Sequence, residues 1–289
     1  MKQRKEITVK QHYIPQFYFR NFSEDQKRIY QINLKEITSS KLVPIESICF
    51  KKNLYELRDD NDEYIHRNMI ENKLSEFEGT LSSLISSISY KSKIPQNYKT
   101  KCFLTSEEKQ QLIFFLALLI CRNDKMINVA KEMSEDAFKG LLSRNKSHNF
   151  AIITCLPFGN TTGESRKNLF DEAKKLFNNL SFQLFVADCD VFFTSDFPLV
   201  LHGENQPSPK LDKVIFPLSS KIVLVMKQKE KTKKECMNCL VRPGKKDIVD
   251  FNCEIIRHSH KWLYSKKPFT DKMIERIRLV MEDENNALF

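Results

Sequence analysis

Residues 112–121 are ten consecutive apolar residues, and Arg122 follows them directly. A helix that crosses a bilayer needs about 20 such residues, so a run of this length reads as a helix buried in a globular core. The arginine at its end adds a second constraint. A guanidinium buried without a partner is costly, so the fold must bring a carboxylate to it from elsewhere in the chain.

The remaining pattern arranges itself around this helix. Thr105 is a suitable N-cap for it, with Glu107 and Glu108 in the first turn. Residues 67–90 carry Ile70, Leu74, Phe77, Leu81, Leu84, Ile85 and Ile88 at helical spacing. Residues 126–142 and 164–180 read as further helices, and residues 149–156 as an apolar, strand-like segment. Near the start, Pro15 fits the first turn of a short helix that Phe17, Tyr18, Phe19 and Phe22 would anchor. Residues 28–34 and 40–43 alternate as a small hairpin, and 53–57 as another short strand. Beyond residue 180 come β-type runs at 182–187, 191–194, 214–217 and 221–226, then helical stretches at 247–258 and 270–283. The predicted class is α+β: short N-terminal strands, a helical middle, an antiparallel sheet and C-terminal helices in one compact domain spanning 1–289. Any lobes would be 1–180 and 181–289.

Composition narrows the functional classes. The chain is 41% hydrophobic with 22 Phe, which excludes wholesale disorder. Only 6 Gly occur, and neither a Gly-x-Gly-x-x-Gly nor a Gly-Lys-Ser/Thr motif is present. Gly159-Asn-Thr-Thr-Gly163 lacks the lysine of a phosphate loop and reads as a turn. The opening Met1-Lys-Gln-Arg-Lys-Glu6 is charged and leads into no apolar segment, so no secretory leader is expected. The eight cysteines form no small-scaffold framework and read as reduced thiols of a cytoplasmic protein, with no membrane partner.

The net charge is +10, and it is localised. Residues 210–278 contain 18 Lys and Arg against 8 Asp and Glu, an excess equal to that of the whole chain. The densest stretch holds Lys227, Lys229, Lys231, Lys233 and Lys234. Such a run is either a solvated loop or an electrostatic footprint for phosphates. An acidic counterpart lies at Asp59, Asp60, Asp62 and Glu63.

The segment His12-Tyr-Ile-Pro-Gln-Phe-Tyr-Phe-Arg-Asn-Phe22 resembles the opening signature of an uncharacterised bacterial family, a domain of unknown function. Further similarities follow in order: Asn53-Leu-Tyr55, Ile70-Glu71 with Phe77-Glu78, residues 116–122, Phe193-Thr-Ser-Asp-Phe-Pro198, Phe216-Pro-Leu-Ser219, and a segment around Asn252. The chain departs from the pattern at Phe19, where Leu is expected, at Phe197, where Asn is expected, and after Arg122, where Thr-Pro is expected. The resemblance covers nearly the whole chain and implies candidate site residues more than an activity. Some members of the family sit among toxin or phage-defence genes.

His12, Gln16 and Arg20 are spaced by four, so Gln16 and Arg20 share a helix face and His12 precedes it. A histidine there is suited to general acid–base work, and an arginine one turn on to holding a phosphate. The structural alternative is that His12 caps the helix and Gln16 satisfies buried backbone. Asp196, ahead of Pro198, either closes an Asx-turn or serves as a base or metal ligand at a strand end. Glu71 and Glu78 share a helix face. Glu78 with Arg122 is expected as an ion pair, and the two glutamates with Asp196 are the alternative divalent-metal arrangement. Cys236 and Cys239 with Cys253, His258 and His260 resemble a zinc pattern loosely, but a second tight pair is missing and no metal ligands are assigned there. The cofactor is left open, a divalent metal being one option.

Two functions fit these residues. One is a nuclease, RNA favoured over DNA, with His12, Gln16, Arg20, Glu78, Arg122 and Asp196 around one cleft, in a toxin or defence effector. Asn252 is a further candidate for the same cleft. The other is a non-catalytic protein that binds nucleic acid or a protein partner through the basic C-terminal quarter. Nucleotide or small-molecule binding stays open beside them.

Overall fold

The computed structural model describes residues 7–99, 102–137, 143–157, 169–204, 210–228 and 239–287. From the N-terminus come β1 (Lys10–His12), α1 (Gln16–Arg20), β2 (Arg28–Asn33), β3 (Lys41–Pro44), β4 (Phe50–Lys52), β5 (Leu57–Arg58) and β6 (Tyr64–Ile65). The middle is helical: α2 (Met69–Lys91), α3 (Ser106–Cys121), α4 (Asp124–Ala137), α5 (Arg144–Cys155) and α6 (Leu169–Lys175). Then come β7 (Leu180–Val186), β8 (Thr194–Ser195), β9 (Val200–Glu204), β10 (Lys210–Ser219), β11 (Ile222–Gln228), β12 (Cys239–Val241), α7 (Lys245–His258), β13 (Trp262–Ser265) and α8 (Asp271–Ala287). The fold is mixed α+β, as the sequence predicts. The cap expected ahead of α3 forms in both directions. Thr105 Oγ1 accepts from the Glu108 N–H at 3.1 Å, and the Thr105 N–H donates to Glu108 Oε2 at 2.9 Å.

The chain forms two structural units. The first comprises Met1–Pro15, Cys49–Leu81 and Gln110–Asn178. At its centre lies the apolar run of α3, whose residues from Leu112 to Cys121 are buried except Phe114. Phe114 meets Phe77 of α2 with ring centroids 4.9 Å apart.

The second unit comprises Gln16–Ile48, Ser82–Lys109 and Asn179–Phe289. It holds a five-stranded sheet in the order β12-β7-β11-β10-β9, antiparallel except for the β12–β7 pair. A four-stranded antiparallel sheet, β3-β2-β13-β8, lies in the same unit. One core cluster joins Ile32 and Leu263 of the smaller sheet, Ile215, Val223 and Val225 of the larger, Phe251 and Ile255 of α7, and Ile277 of α8.

Several local expectations need correction, among them the β-type run at 191–194, of which only Thr194 enters a strand, β8. Residues 149–156 are helical, not strand-like: α5 starts at a Ser143 cap, whose Oγ accepts from the Lys146 N–H, and packs against α4. Tertiary burial of Ala151, Ile152 and Cys155 on one face outweighs the β-branched residues. Residues 53–57 are mostly turn, with only Leu57 entering β5, because Asn53 takes a left-handed conformation (φ 54°). The Tyr55 N–H then bonds to the Gln11 side chain and not to a neighbouring strand. Gly159 to Gly163, Lys229, Lys231, Lys233, Lys234 and Cys236 lie outside the described residues. Among the described residues no helix is long and apolar enough to cross a membrane, and the seven described cysteines are free thiols.

Candidate functional site

In the first unit, the polar residues of the signature meet those of α2 and α3. Pairing of β1 with β4 sets His12 opposite Phe50, and the buried His12 ring lies 5.7 Å from the Phe50 ring. Gln11, fully buried, bridges two partners: its Nε2 donates to Glu56 Oε1 at 2.7 Å, and its Oε1 accepts the Tyr55 N–H at 2.6 Å. Glu56 also accepts the Asn68 N–H at 3.1 Å, closing this network around a left-handed residue.

Arg122 is wholly buried, and its guanidinium is shared among three partners. Nη1 donates to Glu78 Oε1 at 2.8 Å, Nη2 to the His12 carbonyl, and Nε to the Tyr55 hydroxyl at 3.3 Å. The ion pair expected between Glu78 and Arg122 therefore forms. Burial pushes the Tyr55 hydroxyl up to about 12 against the opposing pull of Arg122, so it remains a donor at neutral pH.

Glu71 lies two turns before Glu78 on the same face of α2. Burial, then repulsion from Glu78 and Glu56, pushes its carboxyl up to about 7, against the pull of Arg122. Its buried Oε2 has no hydrogen-bond partner among the described residues. A carboxyl that titrates at neutrality and has a free oxygen is suited to giving and taking protons.

In the second unit, α1 is fixed by its aromatic face. The Tyr18 hydroxyl donates to the Pro217 carbonyl at 2.8 Å and meets Thr194 Oγ1 at 2.6 Å, while its ring stacks on Phe216. Phe19 packs edge-on against Tyr264. The opposite face then presents Gln16 and Arg20 to a cleft of about 690 Å³ that Asp25, Lys27, Arg28, Pro44, Ile45 and Glu46 complete. Asp25 and Arg28 are paired at 2.8 Å, and that bond, with two backbone N–H donors, holds Asp25 well below the usual carboxylate range. Arg20 and Lys27 form no ion pair among the described residues, and the lining holds three cations, Arg28 included, against the carboxylates Asp25 and Glu46.

Asp196 belongs to this second unit but not to the cleft lining. It is buried at the end of β8, where Oδ1 accepts the His260 N–H at 3.0 Å and its own N–H donates to the Trp262 carbonyl at 3.1 Å. The tight turn ahead of Pro198 is closed by Ser195, whose Oγ accepts the Phe197 N–H at 3.1 Å. Asn252 on α7 likewise holds backbone, accepting from the Phe193 N–H at 3.0 Å and donating to the Val191 carbonyl at 2.8 Å. Of the sequence-chosen residues, His12, Glu78 and Arg122 thus come together in one unit. Gln16 and Arg20 share a cleft in the other, apart from Asp196.

Lys227, at the end of β11, is exposed and pairs in register with Lys213. Sequence reasoning placed His258 in a loose pattern with cysteines and missed its neighbours. His202 on β9 stands beside Glu254 and His258 on α7, with one ligand-type atom from each within 4.8 Å of the others. The four-residue spacing of Glu254 and His258 was readable as a shared helix face, but nothing adjacent in sequence pointed to His202.

Residues 10–269 match the family model described as "Protein of unknown function (DUF4238)", and the chain belongs to that family. No curated protein and no solved structure matches it.

Proposed function

We propose that the protein acts on nucleic acid, gripping the phosphate backbone in the α1 cleft, and that it does so as a nuclease favouring RNA over DNA. One observation carries the reading: Arg20 and Lys27, in no ion pair among the described residues, line a cleft of about 690 Å³ beside Gln16. That volume falls within the range of roughly 300–1,000 Å³ typical of ligand sites. Arginine holds a phosphate bidentately and lysine as a point charge, while the walls at Pro44 and Ile45 offer apolar contact to a sugar or base. The excess of 18 cations over 8 anions in residues 210–278 supports attraction of the same polyanion. The cellular role in this reading is a toxin or phage-defence effector of the bacterial cytoplasm.

The test is binding of short single-stranded RNA and DNA by fluorescence anisotropy over a range of salt, with cleavage followed on gels. Arg20→Ala with Lys27→Ala should lower the slope of log K against log salt by roughly 0.7 for each lost phosphate contact. Absence of binding at low salt would sink the reading. The non-catalytic alternative is favoured by one observation, that Arg122 and Asp196 are buried and engaged within the protein. Binding without cleavage would select it.

A further inference from the structure

Glu254 and His258 are four residues apart on α7, so their side chains rise from one face in the last turns of the helix. That helix packs against β9, the edge strand of the five-stranded sheet, which carries His202. The position of β9 is closely fixed. Its pairing with β10 shifts register between Leu211 and Lys213, so the extra residue sits just beside the His202–Lys213 pair. A bulge of this kind re-aims the neighbouring side chains. Gly203 next to it runs so close to the Lys210 carbonyl that a Cβ could not be accommodated.

The result is two imidazoles gathered on one carboxylate. His202 Nε2 lies 3.1 Å from Glu254 Oε2, and His258 Nδ1 lies 3.9 Å from the same oxygen. The two rings meet edge to face at 5.2 Å. His258 Nδ1 is also 2.9 Å from the Glu254 carbonyl oxygen, so it carries the ring hydrogen, fixes the ring orientation and leaves Nε2 as that ring's metal-binding nitrogen. A surface ion pair would need one histidine only. Two imidazoles and a carboxylate are a metal-ligand set, and tetrahedral coordination with bonds of about 2.0–2.1 Å places neighbouring donors about 3.4 Å apart. The His202 Nε2–Glu254 Oε2 separation of 3.1 Å is close to that value, and one ligand atom from each of the three residues lies within 4.8 Å of the others.

We propose that His202, Glu254 and His258 bind a divalent transition metal of the zinc class, with a fourth position open to solvent. Imidazole selects zinc over magnesium or calcium, which prefer all-oxygen shells. The three side chains are between 24% and 38% exposed, which gives an ion access and leaves room for a water. A zinc-bound water ionises near pH 7 and is a hydrolytic nucleophile. The site would supply such a nucleophile to the nuclease reading, but it does not depend on that reading.

The experiment is titration of the metal-stripped full chain with Zn²⁺ by calorimetry, with metal content by mass spectrometry and visible absorption after Co²⁺ loading. One equivalent per chain is expected, with the intense absorption of four-coordinate cobalt. His202→Ala, Glu254→Gln and His258→Ala should each weaken Zn²⁺ binding about 100-fold or more, while Cys253→Ser should bind as the wild type does. Circular dichroism of the metal-free variants checks folding, and His202→Gln is the conservative second variant at the strand position. A rise in Tm with Zn²⁺ is expected in the wild type and should be lost in the variants. No binding by the wild type, full binding by the three variants, or loss of binding in Cys253→Ser would overturn the proposal.

Discussion

Tyr55 and Arg122 exchange hydrogen bonds. The Tyr55 hydroxyl donates to the Arg122 carbonyl at 2.9 Å, and Arg122 Nε donates back to that hydroxyl at 3.3 Å. The pair ties the loop after β4 to the C-terminal end of α3, and Nη2 extends the tie to the His12 carbonyl at the end of β1. The first unit is thus stitched at its centre by one fully buried guanidinium.

Removing that guanidinium should therefore be severe. In Arg122→Ala, Glu78, the Tyr55 hydroxyl and the His12 carbonyl lose a donor in a buried setting, and a loss of about 3–5 kcal/mol is expected. Tyr55→Phe leaves the ion pair intact and should cost about 1–3 kcal/mol. Urea unfolding of both variants checks the order. Equal, small effects would mean that the network contributes little.

Glu71 gives a pH signature. The folded chain keeps its proton up to about pH 7, whereas the ordinary value is 4.5, so folding takes up a proton between these values. Stability should therefore fall as pH rises from about 4.5 to 7 and level off above that. Glu71→Gln removes this fall. The variant should match the wild type near pH 4 and exceed it at pH 8 by roughly 3 kcal/mol, since each pH unit between the folded and unfolded values contributes about 1.4 kcal/mol. Urea midpoints at both pH values decide it, and a variant that gains nothing at pH 8 would show that Glu71 ionises normally.

The parts of this protein legible in sequence are those set by local or one-dimensional rules. The Thr105 cap, the α2 stripe from Ile70 to Ile88 and the partner demanded by Arg122 follow from spacing and from the cost of buried charge. The helix at residues 144–155 was obscured because its β-branched residues are settled by packing on α4, which sequence spacing does not display. Gln11 shows a similar limit. A neutral amide gives no outward sign that both its ends are used, yet it orders the turn at Tyr55 and the carboxylate of Glu56. His202 was hidden for a topological reason, since its partners arrive on a helix about fifty residues later.

Gly203→Ala tests the placement of β9. An alanine Cβ would collide with the Lys210 carbonyl, which is backbone and cannot swing aside. The β9–β10 pairing near the bulge should open, with a loss of stability of about 1–3 kcal/mol. Amide exchange should speed up in β9 while the β7–β11 pair stays protected. Uniform protection in the variant would show that the close approach is relaxed without cost.

The basic quarter yields the last prediction. Lys227, Lys229, Lys231, Lys233 and Lys234 crowd into eight residues of a segment that carries the chain's entire positive excess. If they contact phosphates, each contact releases condensed counterions and adds roughly 0.7 to the salt slope on a single strand. Changing all five to glutamine should remove two to four contacts, and so lower the slope by about 1.4–2.8, equally for every sequence tested. Arg20→Ala with Lys27→Ala acts on the α1 cleft, so combining the two sets should lower the slope by about the sum of their separate effects if one strand spans both footprints. Stability should hardly change in the five-lysine variant if the run is solvated, since exposed charges contribute little. The measurement is the same anisotropy titration on wild type, each set and the combination. Coincident slopes for wild type and the five-lysine variant would reduce that run to a solvated surface. A combination no weaker than the cleft variant alone would assign nucleic-acid binding to the cleft.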